Sequence, residues 1–354
     1  MKLYACSHCH NLLYFENNIC LSCNHMVGFD AAALSMITLD KKNDTEFFNI
    51  VKKNETYRFC ENAVHGTCNW LVPANQVSAF CIACALNRTI PALTENDNLK
   101  RWKLIEIAKH RLVYSLLRLR LPVNAKKENE ETGIAFDFMA DESPKERIMT
   151  GHDNGTITLN IEEADEAQRA RHKLDLGEKY RTLLGHFRHE IGHYYWDVLI
   201  QNSPAIEKFR TLFGDEQKDY ANALVQYYNT AIPVNWADNF ISPYATAHAW
   251  EDWAETWAHY LHMMDTLETA YAFGIHIDPK KATDEQDLQV NISNDPYHVG
   301  NFDQIIKMWL PLTFAVNSLN RSMGHPDFYP FIISATIIEK LRFIHEEINY
   351  LKSK

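Results

Sequence analysis

All eight cysteines of this 354-residue chain fall before residue 85, and none follows Cys84. The N-terminal part is therefore a region held together by thiol chemistry, and the rest must fold on an ordinary core. The first four read Cys6-x-x-Cys9 and Cys20-x-x-Cys23. Each C-x-x-C is a tight turn that aims two thiolates at one point, and two such turns complete a tetrahedron around zinc. The intervening NLLYFENN is long enough for a small hairpin, as in a zinc ribbon. The second four are Cys60, Cys68, Cys81 and Cys84, of which only Cys81-x-x-Cys84 is a tight pair. His65 lies between Cys60 and Cys68 and is an alternative to one thiolate.

Disulfides and iron sites compete with zinc for these cysteines. The N-terminus, MKLYACSHCH, has no apolar run of the kind a signal peptide carries, which favours reduced thiols and two structural zinc ions. A segment this short has little core, so the metal is expected to supply much of its folding free energy.

Composition narrows the function classes. The formal net charge of −11 repels phosphate backbones, so nucleic acid is not an expected partner. No run of about 18 apolar residues is present, so no membrane-spanning helix is expected, and the cytoplasm is the expected compartment.

Residues 1–95 read as a zinc-ribbon module with two four-cysteine sites, and 96–354 as a second domain. The polar stretch 35–57 reads as the connection between the two cysteine knots. NRTIPALTENDN (87–98) marks the boundary: Pro91 breaks structure, and Thr94 with Asp97 three residues on offers a helix cap. From 99 to 121, Trp102, Ile105, Ala108, Leu112, Leu116 and Leu119 recur at helical steps, with lysines and arginines elsewhere. This predicts a packed helix with a solvated basic face. GIAFDFM (133–139) and GTITLNI (155–161) alternate as strands do. Helices are predicted over 162–172, 176–201, 204–213, 216–229, 245–272, 301–322 and 331–352. Strands followed by helices give an α+β order, a predominantly helical domain with a small β-sheet, and not an alternating parallel-sheet fold.

The chemistry concentrates in RTLLGHFRHEIGHYYWD (181–197). Tyr180, Leu183, Leu184, Phe187, Ile191, Tyr194 and Val198 form an apolar stripe at helical spacing. His186, His189, Glu190, His193 and Asp197 form the opposite, polar stripe. His189 and His193 are one turn apart and project together, so two imidazoles can grip one zinc ion. Glu190 beside them can take the proton of a water that zinc acidifies. Gly192 leaves room for close packing beneath the metal. His186 reads as an outer or surface histidine, and Asp197 as either an acceptor for a ligand histidine or an exposed acid.

Catalytic zinc usually has three protein ligands, and no H-x-x-G-x-x-H extension follows His193. The third candidate lies in AHAWEDWAETWAHYLH (247–262), where His248, Glu251, Glu255, His259 and His262 share one helical face. Glu251 can complete the zinc shell, and Glu255 can orient a ligand histidine from behind it. The choice of Glu251 over Glu255 as ligand rests on helix phase together with a family resemblance. His259 and His262 are not expected to be ligands.

His189-Glu190-x-x-His193 followed by Glu251-Asp-Trp-Ala-Glu255 resembles the gluzincin arrangement of zinc metallopeptidases, where a later helix supplies a glutamate ligand, often within E-x-x-A-D. Here Glu255 stands where that pattern has aspartate. CNWLV, CIACALNRTIP, RLVYSLLRLRLP, GTITLNIEEAD, WEDWAETWAHYLH and NSLNRSMGHPDFYPF extend the likeness over most of the chain. The whole is similar to a bacterial family of zinc-binding metallopeptidases with an N-terminal zinc-ribbon domain. The resemblance implies a zincin-like fold, Glu251 as third ligand, and GTITLNIEEAD as an edge strand on which an extended peptide could pair. It also offers His325 and Tyr329 as candidates for steadying the oxyanion, or else as parts of a capped turn between two helices.

The leading expectation is a zinc-dependent peptidase acting on a peptide or protein substrate, with Glu190 as general base. The alternatives are a hydrolase of a non-peptide amide, and a zinc-ribbon module that binds a protein partner in front of an inactive zincin domain.

Overall fold

The computed structural model describes residues 2–95, 97–141, 148–169, 182–280 and 288–353. These fall into two compact units. One holds the described residues up to 169 together with 182–187, and the other the described residues from 188 onward.

In the first unit, strands β1 (Tyr4–Ala5) and β2 (Leu12–Leu13) form the hairpin between the first two cysteine turns. A five-stranded antiparallel meander follows: β3 (Met26–Asp30), β4 (Ser35–Lys41), β5 (Phe47–Asn49), β6 (Thr56–Phe59) and β7 (Leu71–Pro73). Residues 35–57, expected as a connection, therefore form the centre of this sheet. Their polar residues sit mainly in its turns, while Leu39, Phe47, Tyr57 and Leu71 build a small core. Gly28 in β3 has no room for a side chain, because a Cβ there would stand 2.9 Å from the Asn69 carbonyl oxygen.

Strand β8 (Asn87–Thr89), helix α1 (Asn98–Arg118) and strand β9 (Ala135–Met139) form a βαβ unit, since β8 and β9 pair in parallel. Strands β10 (Gly151–Asp153) and β11 (Thr156–Asn160) complete a mixed sheet in the order β10-β11-β9-β8. The strand expected at the edge is thus interior: β11 has β10 antiparallel on one side and β9 parallel on the other. The three-residue β10 is too short to announce itself in the sequence.

Helix α1 departs from its expectation in two ways. Asp97, not Thr94, is its N-cap, and its side chain makes no capping hydrogen bond. Its basic residues are not all solvated, for Lys109, His110 and Arg118 are buried. Tyr114 packs edge-on against Phe15 and Phe29, so the helix closes the aromatic core of the ribbon region.

Helix α2 (Leu183–Leu199) carries the histidine motif. Its first turn lies in the first unit, where Phe187 meets Phe136 and Phe138 of β9 edge-on. Tyr180 of the predicted stripe, the N-terminal part of the predicted helix 176–201 and the end of 162–172 lie outside the described residues. Within α2 the polar stripe is not simply solvated: His189, Glu190 and His193 are buried, and His186 and Asp197 are half-buried. The second unit continues with α3 (Ile206–Phe213), α4 (Tyr220–Asn229), α5 (Ala249–Ala272), the two-stranded β12 (His276–Ile277) and β13 (Val290–Asn291), α6 (Phe302–Ser322) and α7 (Ala335–Ser353). The chain is therefore a zinc-ribbon region followed by a mostly helical domain with small sheets. No helix among the described residues is long and apolar enough to cross a membrane.

Candidate metal centres

The centre of the second unit is the crossing of α2 and α5. Gly192 allows it: a Cβ there would come within 3.1 Å of Ala254 Cα and 3.2 Å of Trp257 Cβ. Trp253 donates its indole N–H to the Gly192 carbonyl at 2.8 Å, locking the helices in register. His189 and His193, one turn apart on α2, then face Glu251 in the first turn of α5.

The three side chains offer His–His–Glu ligand atoms within 4.8 Å of one another. The two Nε2 atoms are 3.2 Å apart, and Glu251 Oε2 lies 3.0 Å from His189 Nε2 and 3.6 Å from that of His193. Oε2 is close to both imidazoles, yet it is buried and accepts no well-directed hydrogen bond. Lone pairs crowded around one point, rather than aimed at each other, fit a cation between them, and two imidazoles with a carboxylate are a zinc donor set.

Glu255, one turn along α5, stands behind this set. Its Oε1 lies 2.7 Å from His189 Nδ1, and its Oε2 accepts from Ser242 Oγ at 2.6 Å. The Nδ1 contact turns the opposite nitrogen of His189 towards His193 and Glu251. Burial pulls the His189 imidazolium down, but Glu251 and Glu255 together outweigh it and raise His189 well above its ordinary value. Burial acts upwards on Glu251, and the two imidazoles overcome it and hold the carboxyl well below the usual range.

Two tyrosines absent from the sequence expectations border the same point. Tyr220, on α4, donates its hydroxyl to Glu251 Oε1. Tyr244 stands against His189 with ring centroids 5.9 Å apart. Burial and then the Glu251 charge raise both phenols far above their ordinary value, and Glu190 adds to this in each. They therefore remain protonated donors beside Glu190. No periodicity pointed to them, since α4 buries none of its residues and Tyr244 lies in a single 3-10 turn, Tyr244–Thr246.

The other candidates are placed elsewhere. His186 pairs with Glu163 at 3.1 Å. Half-buried Asp197 adds to the burial that pushes Tyr194 up to about 12. His248 caps α5 by accepting the Trp250 N–H. His259 Nδ1 is 2.7 Å from the Tyr329 hydroxyl, and Arg188 donates to His262 Nδ1. Tyr329 is thus tied to His259, and His325 is exposed beyond the end of α6.

In the first unit the cysteines gather as two sets, Cys6, Cys9, Cys20, Cys23 and Cys60, Cys68, Cys81, Cys84. No disulfide joins any of them. His65 does not enter the second set. It is exposed and lies against Trp102, while His110 of α1 meets the sulfurs instead.

Two four-thiolate sets and one His–His–Glu set define a zinc-binding protein. A family model described as "Putative zinc-binding metallo-peptidase" matches residues 98–347, and a zinc-ribbon domain model matches residues 3–95. The chain belongs to this family of zinc-binding metallopeptidases with an N-terminal zinc ribbon. Uncharacterized proteins of Mycobacterium tuberculosis (strain H37Rv) and Mycobacterium bovis are each 39% identical to it over 350 residues, covering 99% of this chain and 96% of theirs. No solved structure matches it.

Proposed function

We propose that the chain is a zinc-dependent peptidase of gluzincin type, with His189, His193 and Glu251 as zinc ligands and Glu190 as general base. The observation that carries this reading is the convergence of those three ligand atoms within 4.8 Å, with Glu190 on the same helix between the two histidines. A zinc ion held there supplies a Lewis acid that makes water acidic near neutral pH. Glu190 takes a proton from the attacking water as its oxygen bonds to the carbonyl carbon. The same carboxyl returns that proton to the amine nitrogen as the C–N bond breaks. Tyr220 and Tyr244, protonated donors bordering the site, are better placed than His325 or Tyr329 to steady the oxyanion. Glu255 orients His189. Two further zinc ions are structural, one in each four-cysteine set. Residues 1–95 act as the ribbon module, which offers a surface for a protein partner, and 96–354 as the catalytic domain. Eight unpaired thiols suit a reducing compartment such as the cytoplasm.

The test is hydrolysis of a mixed peptide library by the zinc-loaded full chain. Glu190→Gln is expected to keep its zinc and lose cleavage by at least about a hundredfold. A variant that cleaves as fast as the wild type removes Glu190 from the mechanism. Absence of cleavage by zinc-loaded wild type favours the non-peptidase readings.

A further inference from the structure

The first cysteine set has a second group of donors on its outer side. His8 lies inside the first turn, between Cys6 and Cys9, and His25 follows the second turn, two residues after Cys23. Both turns are built alike. Each closes on a left-handed residue, His10 at φ 60° and Asn24 at φ 61°. In each, that residue's N–H returns to the carbonyl of the first cysteine at 2.8 Å. Cys20 N–H also donates to the His25 carbonyl at 2.9 Å, so the backbone beneath His25 is fixed. The two turns therefore bring one imidazole each to the same face. The rings stack with centroids 4.0 Å apart. One nitrogen of each, together with Cys23 Sγ, lies within 4.8 Å of the others.

The His25 ring is held but not satisfied. Its Nε2 lies 3.4 Å from Asp40 Oδ1, and its Nδ1 is buried with no hydrogen-bond partner. An imidazole nitrogen withdrawn from water without a partner is a standing cost, and a metal ion relieves it as well as a hydrogen bond would. His8 is exposed, so its imidazole can tilt off the stack towards the sulfur. Two imidazoles and one thiolate select borderline transition metals such as zinc, cobalt(II) or nickel(II) over calcium or magnesium.

We propose that His8, Cys23 and His25 form a surface site for an additional ion of the zinc class, which shares the Cys23 thiolate with the ion of the ribbon. The set is separate from His189, His193 and Glu251, and the inference stands whether or not the chain is a peptidase. It makes the ribbon a two-metal element with one enclosed and one accessible ion.

The experiment is cobalt(II) titration of the zinc-loaded full chain, read by near-ultraviolet sulfur-to-cobalt charge transfer and by metal analysis. The His–His–Glu set contains no sulfur, so cobalt entering it gives no such band. The wild type is expected to take up one further cobalt ion with a sulfur charge-transfer band. His8→Ala removes an exposed side chain and leaves both four-cysteine sets intact. It is expected to abolish the band at equimolar cobalt while the zinc content is unchanged. His25→Ala is expected to do the same. No band in the wild type, or a band that survives either substitution, overturns the proposal.

Discussion

His110 Nε2 lies 3.3 Å from Cys68 Sγ and 3.6 Å from Cys84 Sγ, although 42 residues separate His110 from Cys68 in the chain. Its other nitrogen, Nδ1, is 2.6 Å from the Glu106 carbonyl oxygen, which can only accept, so Nδ1 carries a proton. Lys109 and Glu106 are wholly buried beside it and paired at 2.9 Å. A zinc ion with four thiolates carries a net double negative charge, and burying that charge requires compensation nearby. The Lys109–Glu106 pair is itself neutral, so His110 is the group of α1 that offers part of this compensation at the sulfurs, and the second cysteine set includes this helix in its surroundings.

Replacing His110 should therefore weaken the second set selectively. His110→Ala is expected to lower zinc affinity there by about 10–100-fold, the usual effect of losing a group that holds a ligand in place. The first set should be unaffected. Competition with a chromophoric chelator, which releases the two structural zinc ions separately from each other and from the ion of the His–His–Glu set, measures this. Equal release curves for variant and wild type would show that the imidazole only fills space.

The roles of Glu251 and Glu255 can be separated by metal retention. Glu251 faces both imidazole Nε2 atoms, whereas Glu255 reaches only the far side of His189 and is itself held by Ser242. Glu251→Ala is expected to abolish tight binding at the His–His–Glu set. Glu255→Ala should weaken it by about 10–100-fold, and Ser242→Ala by less. Calorimetric zinc titration gives the order directly. Near-normal zinc binding by Glu251→Ala, with loss in Glu255→Ala, would exchange the two assignments.

These relationships divide by how local they are. The cysteine turns and the His189–His193 pair are set within a few residues, and spacing alone exposed them, whereas the choice of Glu251 over Glu255 also needed the family resemblance. His110 was hidden because its contact depends on how α1 docks 42 residues away, and its own neighbours look like a solvated basic face. Residues 35–57 misled for a related reason. Thr38 is polar but buried, and its hydroxyl accepts the Ser7 N–H at 2.9 Å. Tyr57 likewise donates to Asp30 at 3.2 Å. Polar residues satisfied inside a sheet look like loop residues until their partners are known.

Lys340 and Asp252 provide a stability test away from the metal ligands' coordinating atoms. Lys340 on α7 donates to Asp252 on α5 and, at 2.7 Å, to the Asn239 carbonyl, and both charged side chains are almost fully buried. Burial pushes Asp252 up to about 7, against the pull of Lys340. Removing the cation alone leaves the buried Asp252 carboxyl without its partner, so that it must either stay charged in the core or take up a proton, and Lys340→Met is expected to cost about 3–5 kcal/mol. The double variant Lys340→Met/Asp252→Asn should recover part of that loss. Urea unfolding measures both. A double variant no more stable than the single one would mean that packing of the lysine stem, not charge, is what matters.

His259 predicts an acid dependence. Burial depresses it to about 4 from the ordinary 6.5, with Glu255 only partly opposing. Its Nδ1 is engaged by the Tyr329 hydroxyl. A base whose folded value is depressed favours the folded state above its unfolded value, because only the unfolded chain gains a proton as pH falls. The contribution is thus fully present above pH 6.5 and is lost as pH falls towards 4. It amounts to about 3 kcal/mol for a depression of this size. His262 is driven the same way by burial and Arg188, and it stays in both proteins when only His259 is changed. The denaturation midpoint of the wild type should therefore fall more between pH 7 and pH 4.5 than that of His259→Gln, which keeps a hydrogen-bonding amide but cannot titrate. Parallel losses in the two proteins would show that His259 does not contribute to the acid sensitivity of the fold.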